Sequence, residues 1–94
     1  MTTTRRARTE WNGSLMEGSG TVDLQSSGIG SFPVTWPARS AEPAGKTSPE
    51  ELIAAAHATC FSMALSHGLA QQGTPPTSVH TSAEVDFKIG RAHV

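Results

Sequence analysis

The sequence is short of several things, and each shortage removes a class of explanation. Among 94 residues there is one cysteine, no tyrosine, and an aromatic share of only 5%. A single cysteine cannot close an intrachain disulfide, so a reducing cytoplasm is the expected setting. No CxxC, no HExxH and no pair of histidines at ligand spacing occurs, so no metal site is expected. Charged residues make up 16% and the net charge is -1, which gives no electrostatic footprint for nucleic acid or an anionic membrane. Arg5, Arg6 and Arg8 cluster, but they read as one exposed strand face. The opening MTTTRRARTEW lacks the apolar run that follows the charges of a secretory signal. The most apolar stretch, Leu52 to Leu65, is too short to span a bilayer and is interrupted by His57, Thr59 and Ser62, so no membrane partner is expected.

What is present reads as one α+β domain. The first third suggests short strands. RRARTEWN runs into Asn12-Gly13, a two-residue turn signal, although glycines break the segment that follows. In GTVDLQ, Val22 and Leu24 share a face. In SFPVTW, Phe32, Val34 and Trp36 share a face with Pro33 turned away, and the proline marks an edge strand or a bulge. The stretch PARSAEPAGKTSP then reads as a polar loop. It ends in a helix start: Ser48 as N-cap, Pro49 in the first turn and Glu51 three residues after the cap form a capping box. The helix is predicted to reach Gln71 or Gln72, where Gly73 and then Pro75-Pro76 stop it. Beyond it SVHTSAEVDFK alternates, with Val79, Thr81, Ala83, Val85 and Phe87 on one side. That pattern predicts a further strand lying against a core.

The helix makes the strongest demand. From Leu52 to Leu65 it has no continuous polar stripe, so it needs covering on more than one side. The strands present can cover only one. A second subunit or further chain must supply the rest, and the alanines at 54, 55, 56 and 58 allow another backbone to come close.

Within this helix the chemistry-bearing residues separate by position. Glu51 is used by the capping box, whereas Glu50 is either available for other chemistry or simply complements the helix N-terminus. Cys60 lies ten residues beyond Glu50, about 15 Å along a straight helix, so the two cannot touch within it. The helix dipole fades after the first turn and cannot activate Cys60. His57, at i−3, can approach the sulfur, but no group that would orient it as a base is evident, which weakens a Cys–His hydrolase reading. His57, His67 and His80 are read as structural. Two possibilities remain open for Cys60 on these grounds: a small buried hydrophobe, or a thiolate activated by a cation from elsewhere.

The stretch KTSPEELIAAAHATCFSMALSHGL (Lys46 to Leu69) resembles the cysteine helix of the OsmC/Ohr family, the osmotically inducible and organic-hydroperoxide-resistance proteins. The likeness continues upstream through ARTEWNGSLMEGSGTVDL and SFPVTWPARSAEPAGK, and downstream through GTPPTSVHTSAEVDF. The AAHA and FSMALS segments are closer to the OsmC branch. The resemblance implies a thiol peroxidase that reduces organic hydroperoxides, and hydrogen peroxide less well, with no bound cofactor and an external thiol or dithiol as reductant. It places Cys60 on the peroxidatic cysteine, Glu50 on the catalytic glutamate and Arg39 on the arginine of that site. It implies an intertwined homodimer with the cysteine helices at its centre. Family members also carry a downstream resolving cysteine, and none follows Cys60 here. Residues 1–88 are therefore expected to be the N-terminal part of one OsmC-like domain. The last six, IGRAHV (Ile89 to Val94), resemble a translated sequencing adapter and are expected to be non-native. The alternative function is a non-catalytic dimerisation or small-molecule-binding module in which Cys60 is buried packing.

Overall fold

The computed structural model describes residues 1–88; the tail expected to be non-native lies outside them. The element order is β1 (Arg8–Asn12), β2 (Ser19–Asp23), β3 (Ser31–Val34), α1 (Trp36–Ser40) and α2 (Pro49–Gln71). This is an α+β chain of three antiparallel strands followed by a long helix. Its described residues divide into two compact units: Met1–Ser48 with Phe87 and Lys88, and Pro49–Asp86.

The first unit is built on a sheet of order β1-β2-β3. Its register pairs Thr9 with Val22, Trp11 with Gly20, Val22 with Phe32 and Gly20 with Val34. Those residues share one face, which is apolar. The other face carries Arg8, Glu10, Asn12, Thr21, Asp23, Ser31 and Pro33, and Ser31 Oγ donates to Asp23 Oδ1 across the strands at 2.6 Å. The alternation is what a half-buried sheet needs. Its most deeply buried apolar side chain is Val22, at 7% exposure on the central strand. Pro33 does sit on an edge strand, whose outer side takes a single parallel bridge between Val34 and Thr47. There the Thr47 N–H donates to the Pro33 carbonyl at 3.0 Å.

Three local readings need correction. The β1–β2 connection is not a two-residue turn at Asn12-Gly13: it spans residues 13–18, since Asn12 pairs with Ser19. Its closure comes from the Gly18 N–H bonding the Ser14 carbonyl at 2.8 Å. Trp36 does not extend β3, and PARS is not a loop. Thr35, in extended backbone, accepts the Ala38 N–H on its hydroxyl at 3.2 Å, and Pro37 stands in the first turn of α1. A threonine cap followed by a proline whose absent N–H is not required starts a helix.

The third correction concerns residues 79–88, which form no strand. A ladder needs a neighbouring strand, and among the described residues this segment has none. Its alternation survives in part: Val79, Thr81, Ala83 and Phe87 are half-buried and His80, Ser82, Glu84, Asp86 and Lys88 exposed, but Val85, expected on the covered side, is exposed as well.

The second unit is organised by α2, which begins directly after Ser48 and ends where the sequence predicts. The Gly73 N–H bonds the Ala70 carbonyl at 3.0 Å and the Thr74 N–H bonds the Leu69 carbonyl at 2.9 Å. With Gly73 at φ +84°, this is a Schellman stop. On one side of α2, Ala54, Ala58, Ser62 and Ser66 are half-buried. Thr81 meets that side, its hydroxyl 2.6 Å from the Ser62 hydroxyl. No residue of α2 is fully buried, and Ile53, Phe61 and Met63 are each more than half exposed. At 23 residues α2 is also longer than the Leu52–Leu65 run, and is long and apolar enough by length and composition to cross a membrane. The core helix of a soluble protein passes the same test, so this alone decides nothing.

Candidate active site

Two of the three sequence-predicted site residues stand on α2. Glu50 is in its first turn and is half-buried. Cys60 is ten residues further, which is about 15 Å of rise and about 80° of rotation away. The helix therefore holds carboxylate and thiol apart, as the spacing requires.

Cys60 is a free, exposed thiol. Ala56 and Ala64 flank it at i−4 and i+4, and His57 and Met63, both exposed, at i−3 and i+3. The nearby hydroxyls are already committed. Thr59 Oγ1 donates to the Ala55 carbonyl and Ser62 Oγ to the Ala58 carbonyl, both at 2.8 Å. Ser62 has one proton, so its contact with Thr81 is completed by the Thr81 hydroxyl donating. Cys60 lies on a helix that has no fully buried residue, so its exposure is that of a face still requiring cover.

Arg39 stands in the other unit, in the last turn of α1, where a cation suits the carbonyl end of the helix. Its side chain is half-buried. The guanidinium carbon lies 4.2 Å from the centroid of the Phe87 ring. Trp36, one turn earlier on α1, meets the same ring edge-on, with centroids 5.6 Å apart and planes at 86°. Arg39 and Trp36 thus hold Phe87 jointly. The i, i+3 spacing of Trp36 and Arg39 was available as a signal once a helix at Thr35-Trp36-Pro37 was recognised. Nothing local could have pointed to Phe87, which comes from the far side of α2 in the chain.

Among the described residues no group of three or more His, Cys, Asp or Glu side chains could hold a metal ion. An open cavity of about 360 Å³ lies in the first unit, lined by Met16, Thr35, Pro37, Glu42 and Lys46 among others. It contains none of Arg39, Glu50 and Cys60. The parts relevant to chemistry are therefore an accessible thiol, a helix-start carboxylate and an aromatic-held guanidinium.

Comparison with known proteins gives this set a context. The family model for OsmC-like protein matches residues 42–93. Peroxiredoxin OsmC of Escherichia coli (strain K12) is 44% identical over 87 residues, which cover 93% of this chain and 60% of that protein. Peroxiredoxin OsmC of Shigella flexneri matches with the same identity and coverage. The chain thus spans about three-fifths of the length of these relatives. A match over more than half the chain, on the segment that carries Cys60 and Glu50, places the chain in the OsmC family.

Proposed function

We propose that this chain carries the peroxidatic half of a thiol peroxidase, with Cys60 as the nucleophile that reduces organic hydroperoxides, and hydrogen peroxide less well. The observation that carries the reading is the free thiol of Cys60 on the helix where the chain matches proteins named peroxiredoxin. A peroxide must reach the sulfur end-on, and two of the four neighbours of Cys60 on the helix, Ala56 and Ala64, are small.

The chemistry follows from the groups. The Cys60 thiolate attacks the terminal oxygen of R–O–O–H; an S–O bond forms as the O–O bond breaks, and R–O⁻ leaves. The alkoxide takes a proton to become the alcohol. Cys60 is oxidised by two electrons to the sulfenic acid, and the peroxide is reduced by two. Two thiol equivalents from an external dithiol then return the sulfenic acid to the thiol, releasing water and forming the reductant's disulfide. Arg39 is the cation of this reading. Its positive charge favours the thiolate and the charge that develops on the leaving oxygen. Glu50 is the carboxylate that orients the guanidinium by a two-pronged charge-assisted bond. No cofactor enters. A homodimer would supply the cover that α2 requires, in the setting of a reducing cytoplasm.

The test is peroxide consumption by the full-length gene product with a dithiol reductant. Cys60→Ser is expected to abolish consumption of cumene hydroperoxide while leaving the far-ultraviolet circular dichroism intact. Unchanged consumption in that variant would remove Cys60 as the nucleophile.

A further inference from the structure

We propose that Phe87 is a positioning residue for Arg39, its ring serving as the platform that fixes the direction of the guanidinium. The inference rests on the reading of Arg39 as the cation that serves Cys60. It is carried by the geometry of three side chains in one unit. The Arg39 guanidinium carbon sits 4.2 Å from the Phe87 ring centroid, inside the distance at which a cation is attracted to a ring face. Trp36 braces that ring edge-on at 5.6 Å and 86°, an arrangement aromatic pairs favour. Trp36 and Arg39 project from one side of α1, three residues apart, so the same ring is gripped by two side chains of one short helix.

An arginine side chain has several rotatable bonds, and a guanidinium that serves a sulfur must be held in one orientation. A cation–π contact is an attraction between the delocalised guanidinium charge and the ring face. It is therefore compatible with in-plane charge-assisted hydrogen bonds to a carboxylate or an oxyanion. Phe87 is also placed where burial alone would not demand a ring. It is half-buried near the end of a segment that forms no strand, with Val85 exposed two residues before it.

The experiment compares second-order alkylation of Cys60 by anionic iodoacetate and neutral iodoacetamide, at neutral pH, in the full-length gene product. A cation aimed at the sulfur speeds the anionic probe over the neutral one. The ratio of the two rates cancels changes in thiol exposure and in general stability. Arg39→Ala is expected to lower that ratio. Phe87→Leu and Phe87→Met are expected to lower it roughly threefold or more, the scale of one cation–π contact. Phe87→Tyr, which keeps the ring face, restores it. In an Arg39→Ala background, Phe87→Leu has no further effect. If the Phe87→Leu protein does not fold, Phe87→Met carries the same test with a side chain that fills irregular space. A lowered ratio in Arg39→Ala beside a wild-type ratio in both Phe87 variants overturns this inference and leaves the peroxidase reading standing. A further fall in the double variant also overturns it, since Phe87 would then act on Cys60 by another route. No change in Arg39→Ala removes Arg39 from the site, and the role of Phe87 with it.

Discussion

At the scale of single residues, Gly20 decides how closely β1 and β2 approach. A Cβ at that position would lie 2.7 Å from both the Glu10 carbonyl oxygen and the Trp11 ring. The oxygen is backbone and cannot swing aside, so the pairing of Trp11 with Gly20 holds only with hydrogen in place of a side chain. Gly20→Ala is expected to destabilise the fold by about 1–3 kcal/mol, the usual range for overpacking. A urea or thermal unfolding midpoint indistinguishable from wild type would contradict this. The placement of Glu50 and Cys60 on one helix, ten residues apart, was legible in the sequence, because the start and stop signals of α2 enclose both. The partnership of Arg39 with Phe87 was not, because a contact between residues so far apart in the chain leaves no local pattern.

At the scale of elements, legibility followed the strength of local signals. The long helix was readable at both ends, from Ser48-Pro49 at its start and Gly73 at its stop. Gly73 has nothing within 4 Å of where a Cβ would stand, so its role is conformational rather than steric. Gly73→Ala is expected to cost about 1 kcal/mol, the penalty of a left-handed conformation for a residue with a Cβ. Gly73→Asn should cost less, asparagine being the other residue found at this cap position. Equal thermal midpoints for Gly73→Ala and wild type would count against the Schellman assignment.

Two elements misled the sequence for physical reasons. The helix at Trp36–Ser40 is too short for its apolar period to show, and its proline and alanine read as loop. The alternation over residues 79–87 is a record of which side faces cover, not of backbone pairing. A segment held by Ser62 and Thr81 against a helix can alternate in burial from Val79 to Glu84 without pairing as a strand. The sheet was easier, since Val22, Phe32 and Val34 alternate with polar residues and Pro33 marked the edge.

At the scale of the whole molecule, α2 dominates. Its apolar circumference predicted cover on more than one side, and in this chain no residue of it is fully buried. Met63 is 69% exposed and Ile53 55%, levels that large apolar residues of a finished core do not show. The need for cover was therefore legible, but its source was not, because an apolar face does not say what it meets. The chain spans 60% of the length of its OsmC relatives, and the exposed face carries the thiol on which the proposed chemistry depends.

The most direct measurement is the mass of the Cys60 peptide after one equivalent of cumene hydroperoxide, with dimedone present to trap the first oxidation product. This reading predicts a dimedone adduct on Cys60 that requires the peroxide and disappears when dithiol is added before the trap. Peroxide consumed by the protein while Cys60 stays unmodified and free would contradict it.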